Sequence, residues 1–369
     1  MQVKKITLRD FRNIKEVSLS FSPDTNVLFG DNAQGKTNLL EAIYFASIGK
    51  SFRGQHIGEI IRFGQKEAFI SLDFESNGRE QNISFALYNN RIREIQKNRV
   101  KIRRTSEILG SFRAVLFCPE HLSLIKDGPA ERRQFLDIAI SAAEPLYLGS
   151  LQRYNHVLKQ RNVLLKDAER DRALFDATGE IWAKQLCHEA AYIARSRKRY
   201  IKRAEEIVKQ CFRDMTGSRE EPTLAYIGFC KDPDESYEEL QKTENFLFQK
   251  LLENKEREIA AGSTLWGIHK DDIEVSLNGH AARQFCSQGQ QRSLALALKI
   301  AESEICADDC GEYPVLLLDD VLSELDGSRR KYLLEHIKNK QVIITTCEKE
   351  GILARSPVLV KSGTYETVK

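Results

Sequence analysis

Residues Gly30-Asp31-Asn32-Ala33-Gln34-Gly35-Lys36-Thr37 follow the pattern G-x-x-x-x-G-K-[ST], the phosphate-binding P-loop. Each residue type in that pattern has a job. Gly30 and Gly35 let the backbone turn without a Cβ clash, so that backbone N–H groups converge on an anion. Lys36 would reach the β- and γ-phosphates, and the Thr37 hydroxyl would ligate Mg²⁺. A glycine turn that happens to carry Lys-Thr would match in isolation; the flanks argue against it. Asn26 to Phe29 reads as a short buried strand, and Asn38 to Tyr44 carries apolar residues at helical spacing. Strand, glycine loop and helix start together make an anion site.

Two further stretches add chemistry. Val315-Leu316-Leu317-Leu318-Asp319-Asp320 is an apolar strand ending in two carboxylates, the Walker B arrangement. The apolar run buries the strand at a sheet centre and presents the acids at its C-terminal edge. Asp319 is the expected Mg²⁺ partner and Asp320 the expected base that orients an attacking water. Alone, two acids after a strand would also suit a helix N-cap; a P-loop in the same chain disfavours that. Ser287-Gln288-Gly289-Gln290 opens a strongly helical stretch and forms a second glycine-containing helix start. Because the P-loop already cradles the nucleotide, this second site is expected to cap the γ-phosphate of ATP held by a neighbouring subunit.

The positioning elements follow from periodicity. Val3, Ile6 and Leu8, then Val17, Leu19 and Phe21, indicate strands leading into the P-loop. Ala68 to Phe74 and Ile83 to Leu87 alternate around a turn at Asn77-Gly78, and Asn89-Asn90 reads as another turn. Arg91, Arg93, Lys97, Arg99, Lys101, Arg103 and Arg104 follow, by default a solvated strand face. Ala114 to Phe117 and Val342 to Thr346 read as buried strands. Residues 146–215 read as long helices with a break near Thr178-Gly179, without a sustained heptad repeat. Residues 223–229 return to strand and 236–257 form a charged helix. Ile273 to Leu277 is a strand ending in a hairpin turn at Asn278-Gly279. The expected fold class is α/β. Residues 1–118 and 261–369 form the two parts of an ATPase lobe, and 119–260 an inserted, mainly helical lobe.

Some basic residues have two readings. Arg132 and Arg133, just inside a helix started by Pro129, serve either as salt-bridge partners or as phosphate contacts. Arg195, Arg197, Lys198 and Arg199 form either a solvated helix face or a DNA-backbone contact. Arg12 either contacts phosphate or senses the nucleotide, or forms a salt bridge with Asp10 or a neighbour.

The 369-residue chain is 41% hydrophobic and 30% charged with a net charge of +3, which suits a soluble protein with a real core. No global charge announces a nucleic-acid partner, so any basic surface is local. Eight scattered cysteines fit reduced thiols in a cytosolic protein, and Cys306 and Cys310 lack a second pair for a zinc site. The N-terminal residues lack the apolar run of a signal peptide, and no run approaches membrane-spanning length.

Together these motifs resemble the ABC-type ATPase head of the SMC group, and within it the RecF family of bacterial recombination mediators. The resemblance rests on Leu8 to Ile14, Gly30 to Thr37, Phe117 to Leu122, Gly128 to Arg133 with Phe135-Leu136-Asp137, Gly267 to Asp272, Ser287 to Arg292, and Leu316 to Asp326. Ile268 and Lys270, Asp127 and His121 depart from the family's usual residues. The resemblance implies an ATP-driven homodimer on single-stranded, double-stranded and gapped DNA, and very slow, DNA-dependent hydrolysis. It also implies work with RecO and RecR to load RecA, support of SOS induction, and a cytoplasmic location. Three rivals remain at this point. A transporter ATPase subunit would carry L-S-G-G-Q and a shorter insertion. A P-loop kinase or GTPase leaves Ser287-Gln288-Gly289 unexplained. A non-hydrolysing nucleotide-gated scaffold would fit Asp320, one methylene shorter than glutamate.

Overall fold

The computed structural model describes residues 1–54, 56–89, 91–230, 237–347 and 357–367. Asn90 of the expected turn and Ser236 of the expected helix lie outside them. The chain divides into two compact units. The first comprises Met1–Leu122, Asp214–Gly217 and Arg292–Lys369, and the second Ser123–Arg213 and Ser218–Gln291. Of the expected ATPase part 261–369, the structure groups Ala261 to Gln291 with the helical unit instead. Its strand Asp272–Leu277 finds its hydrogen-bond partner in Pro222–Ile227, a strand of that unit.

In the first unit, β1 (Gln2–Phe11), β2 (Ile14–Ser20) and β3 (Thr25–Phe29) precede the P-loop and the helix Lys36–Ile48. Next come β4 (Glu67–Ser76), β5 (Arg79–Tyr88), β6 (Arg91–Lys97), β7 (Val100–Ile102) and β8 (Ala114–Phe117). An antiparallel sheet has the order β2-β1-β4-β5-β6-β7. Alternation sets its faces: Ile6, Leu8, Ile70, Leu72, Ile83 and Phe85 are buried, while Lys5, Arg9, Glu94 and Gln96 are not. The turn Asn77-Gly78 has both residues at positive φ, 49° and 70°, as a two-residue hairpin requires.

The second unit holds β9 (Pro222–Ile227), β10 (Asp272–Leu277) and β11 (His280–Ala281), a three-stranded antiparallel sheet. Its helices include Pro129–Ala143, Pro145–Asp167 and Arg172–Thr216 up to Arg213. Two of these run side by side, since Arg153 pairs with Glu189 at 2.5 Å and Arg197 donates to the Tyr147 hydroxyl at 3.0 Å. The expected break at Thr178-Gly179 is absent. The helix Arg172–Thr216 continues through Gly179, whose missing side chain admits the Phe175 ring; a Cβ there would lie 3.1 Å from it. The break falls instead between Asp167 and Arg172. The expected helix 236–257 is two helices, Leu240–Glu253 and Lys255–Ala261, parted at Asn254.

The first unit resumes with β12 (Val315–Asp319), β13 (Val342–Thr346), β14 (Val358–Lys361) and β15 (Thr364–Thr367). The order β15-β14-β3-β13-β12-β8 is parallel apart from the β14–β15 hairpin. All five residues of β12 are buried, as the apolar run requires. The helix Lys36–Ile48 is buried on nearly every side. Its Leu39, Leu40, Ile43 and Phe45 share one core with Ile6, Ile70 and Phe85 of the antiparallel sheet and Leu28, Leu317 and Ile343 of the parallel one.

Candidate nucleotide site

The P-loop joins the end of β3 to the helix Lys36–Ile48. Gly30 and Gly35 have φ of 147° and 115°, and Ala33 sits at 63°. A Cβ on Gly30 would lie 2.3 Å from the Val360 carbonyl oxygen, so the first glycine answers both to backbone torsion and to β14 beside it. The Lys36 ammonium curls into the loop and donates to the carbonyls of Gly30 at 2.5 Å and Asp31 at 2.8 Å. A cation is thus held at the centre of a ring of backbone groups.

Parallel pairing of β3, β13 and β12 brings the loop and the acids to the same edge. The Thr37 hydroxyl donates to Asp319 Oδ1 at 2.9 Å, and the Thr345 hydroxyl to the same oxygen at 2.7 Å. Burial pushes the Asp319 carboxyl up from its ordinary range, and those two hydroxyl donors pull it back down. Asp320 is half-buried and adopts the left-handed region, φ 52°. Its N–H donates to Thr345 Oγ1 at 3.0 Å, and its carbonyl accepts from Ser323 Oγ at 2.7 Å. A non-glycine residue held there by flanking bonds is the kind of strained position that functional sites retain.

Sequence reasoning missed the clamp on the loop's far side. The β14–β15 hairpin turns at Ser362-Gly363. Ser362 N–H donates to Gln34 Oε1 at 2.6 Å, and Gly363 N–H to the Gln34 carbonyl at 2.9 Å. The Tyr365 hydroxyl donates to the Gly35 carbonyl at 2.9 Å. The Ser-Gly pair after an apolar strand signalled a turn, but nothing local signalled its target. Cys347, just after β13, was also missed; its sulfur lies 3.7 Å from Lys36 Nζ.

Arg12 takes the second of its two readings, a salt bridge with a neighbour. Its guanidinium forms a two-pronged pair with the buried Glu41 carboxylate, at 3.0 and 2.6 Å, and donates to the Glu59 carbonyl at 2.6 Å. It braces the P-loop helix, and Asp10 pairs with Arg62. The neighbouring Asn13 does reach the loop, donating to the Gln34 carbonyl at 3.3 Å.

In the second unit, Ser287 and Gln288 are exposed, while Gly289 and Gln290 are half-buried at the start of the helix Gln288–Cys310. Ser287 and Gln290 form a capping box. Ser287 N–H donates to Gln290 Oε1 at 2.8 Å, and Gln290 N–H to Ser287 Oγ at 3.3 Å. The S-x-x-Q spacing carried that signal in the sequence. Gln290 Nε2 also donates to Glu220 at 2.7 Å.

Two of the expected DNA contacts are overturned. Arg132 is buried, with its guanidinium forked onto Asp272 at 2.6 and 3.0 Å and bonded to the carbonyls of Leu124 and Asp127. Arg197, 1% exposed, bridges Asp137 at 2.8 Å and Asp271 at 3.2 Å and donates to the Ile268 carbonyl. Neither can reach a phosphate from there. Arg133 donates to the Asp271 carbonyl at 2.7 Å. Arg195 and Lys198 are half-buried over the rings of Tyr192 and Tyr237. Arg199 is exposed and paired with Glu238 at 2.5 Å.

A family model described as "RecF/RecN/SMC N terminal domain" matches residues 2–364. Proteins called "DNA replication and repair protein RecF" from Agathobacter rectalis and Clostridium novyi are each 39% identical over 345 residues, 94% of this chain and 92% of theirs. The chain belongs to the RecF family. A solved structure described as the recombination mediator protein RecF-ATP in the RecFOR pathway is 34% identical, with a TM-score of 0.91 over 100% of this chain and 98% of that one. The Smc head of Pyrococcus furiosus, 18% identical with a TM-score of 0.59 over 100% of this chain and 96% of its own, shares the fold. The chain therefore has the ABC-type ATPase-head fold of RecF and SMC proteins. No helix among the described residues is long and apolar enough to cross a membrane.

Proposed function

We propose that this chain is an ATP-gated DNA clamp of recombinational repair, in which two copies share each triphosphate. The observation that carries the reading is the junction of loop and strand, the Thr37 hydroxyl 2.9 Å from the Asp319 carboxylate beside a P-loop with Lys36 at its centre. Gly30 to Thr37 hold the phosphates through backbone N–H groups and Lys36. Thr37 and Asp319 supply hard oxygen donors at a spacing that suits Mg²⁺, which when bound neutralises phosphate charge. Asp320 orients the attacking water, and its short side chain makes turnover slow. The exposed Ser287 and the helix start behind it, with Gln288, Gly289 and Gln290, meet the γ-phosphate held by the partner copy. Because only ATP carries that phosphate, ATP and not ADP favours the closed dimer.

Kinship with RecF proteins supports the rest of the reading. The dimer binds single-stranded and double-stranded DNA and gapped regions, and acts in the cytoplasm with RecO and RecR ahead of RecA loading and SOS induction. Arg132 and Arg197 take no part in the DNA surface, which is drawn from exposed cations. The decisive variant is Lys36→Ala. Titration with a fluorescent ATP analogue is expected to show binding lost in the folded variant; affinity within a few-fold of the parent chain would refute the site.

A further inference from the structure

The antiparallel sheet carries a second feature that nucleotide binding leaves unused. Its outward face is polar, with Lys5, Thr7, Ser71, Ser84 and Gln96 facing away from the core, yet the Phe69 ring lies among them. Register places Arg9 directly opposite Phe69, and the Arg9 guanidinium sits 5.9 Å from the ring centroid. Two strands away Arg93 covers the Tyr88 ring at 5.7 Å. Between these pairs opens a groove of about 580 Å³, lined by Arg9, Lys66, Phe69, Ala86, Tyr88 and Arg93 among others.

The rim of the groove adds a third ring. Gln65 N–H donates to the Arg62 carbonyl at 2.9 Å, closing a turn with Gly64 at φ 81°. Arg62 is pinned to Asp10 by its backbone at 2.8 Å and its side chain at 2.6 Å. Phe63, at the tip of this anchored turn, is 99% exposed. A phenyl ring held out on a braced turn contributes nothing to the core and is suited to contact with a partner.

Charge selects the partner. The β6–β7 hairpin continues from the groove, and its exposed Arg91 and Arg99 have no carboxylate partner among the described residues, whereas Lys101 and Arg93 pair with Glu94 and Glu67, and Arg103 and Arg104 just beyond it donate their backbone N–H groups to Glu107 at 3.1 and 2.8 Å. Asn98 and Arg99 both adopt positive φ, 51° and 66°, so an arginine occupies the tip position where glycine is the ordinary choice. Stacking rings beside unpaired cations match a polyanion whose bases are unpaired.

We infer that this sheet face is a single-stranded nucleic-acid platform. Phe63, Phe69 and Tyr88 stack unpaired bases, and Arg9, Lys66 and Arg91 hold the phosphates. The inference rests on the DNA-binding reading above and deepens it. The test uses the full chain with ATP and Mg²⁺, and fluorescence anisotropy of labelled oligothymidylate and of a labelled blunt duplex of equal length. Phe63→Ala, which touches no core, is expected to weaken oligothymidylate binding by about ten-fold and leave duplex binding unchanged. Arg91→Glu is expected to weaken both and flatten the salt dependence. Photocrosslinking from iododeoxyuridine is expected to mark the peptides bearing Phe63, Phe69 or Tyr88. Oligothymidylate binding unaltered by Phe63→Ala, or crosslinks confined elsewhere, would overturn the platform. So would a Phe63→Ala defect seen only in self-association. If the parent chain bound neither DNA, the clamp reading itself would fall.

Discussion

Arg197 holds two carboxylates in the interior of the helical unit, and a third group, the Tyr226 hydroxyl, donates to Asp271. Burial raises the Asp271 carboxyl to about 6, against the pull of Arg197. Removing the guanidinium strands both acids, so Arg197→Leu is expected to cost about 3–5 kcal/mol in urea unfolding, with nucleotide binding by the surviving fold unchanged. A surface residue would cost far less. Asp320 makes the opposite kind of prediction. Asp320→Asn is expected to slow phosphate release while leaving ATP affinity within a few-fold, because Lys36, Thr37 and Asp319 remain; unchanged turnover would remove Asp320 from the chemistry. At this scale the sequence was legible where spacing encodes chemistry, as in Lys36, Thr37 and Asp319. It was illegible for Arg132, Arg197 and Arg12, since a charge run does not say which members turn inward. Their partners Asp272, Asp271 and Glu41 stand 140, 74 and 29 residues away.

The helix Gln288–Cys310 shows how an element is tied to its neighbours. Glu304 accepts from His336 at 2.8 Å and from Lys340 at 2.7 Å, and Tyr313 donates to it at 3.0 Å. Burial raises the Glu304 carboxyl, but these donors outweigh it and lower it from 4.5 to about 2. A carboxyl depressed on folding stabilises above its unfolded value and loses that contribution as pH falls from about 4.5 through 2. Glu304→Gln is accordingly expected to flatten the acid limb of a stability–pH curve measured by denaturant unfolding; an unaltered limb would discount the cluster. Strand and helix periodicity made most elements readable, including β8, β12 and β13. The P-loop's brace by the β14–β15 hairpin was not, because Gln34 and Ser362 are 328 residues apart. Nor was the continuity of the helix through Gly179, where the Phe175 ring supplies the packing that composition alone does not reveal.

For the whole molecule, the family and fold were readable from motif order along the chain, while the grouping of Ala261 to Gln291 with the helical unit was not. Strand pairing of Asp272–Leu277 decides that grouping, and pairing is a long-range property. The proposed clamp depends on one triphosphate being shared by two copies. Sedimentation velocity of the full chain with Mg²⁺ and either ATP or ADP tests this most directly, run beside Ser287→Arg. A shared triphosphate predicts a dimer with ATP, a monomer with ADP, and a variant that binds ATP yet stays monomeric. An ATP-dependent dimer of Ser287→Arg, or equal dimerisation of the parent chain with ATP and ADP, would contradict it.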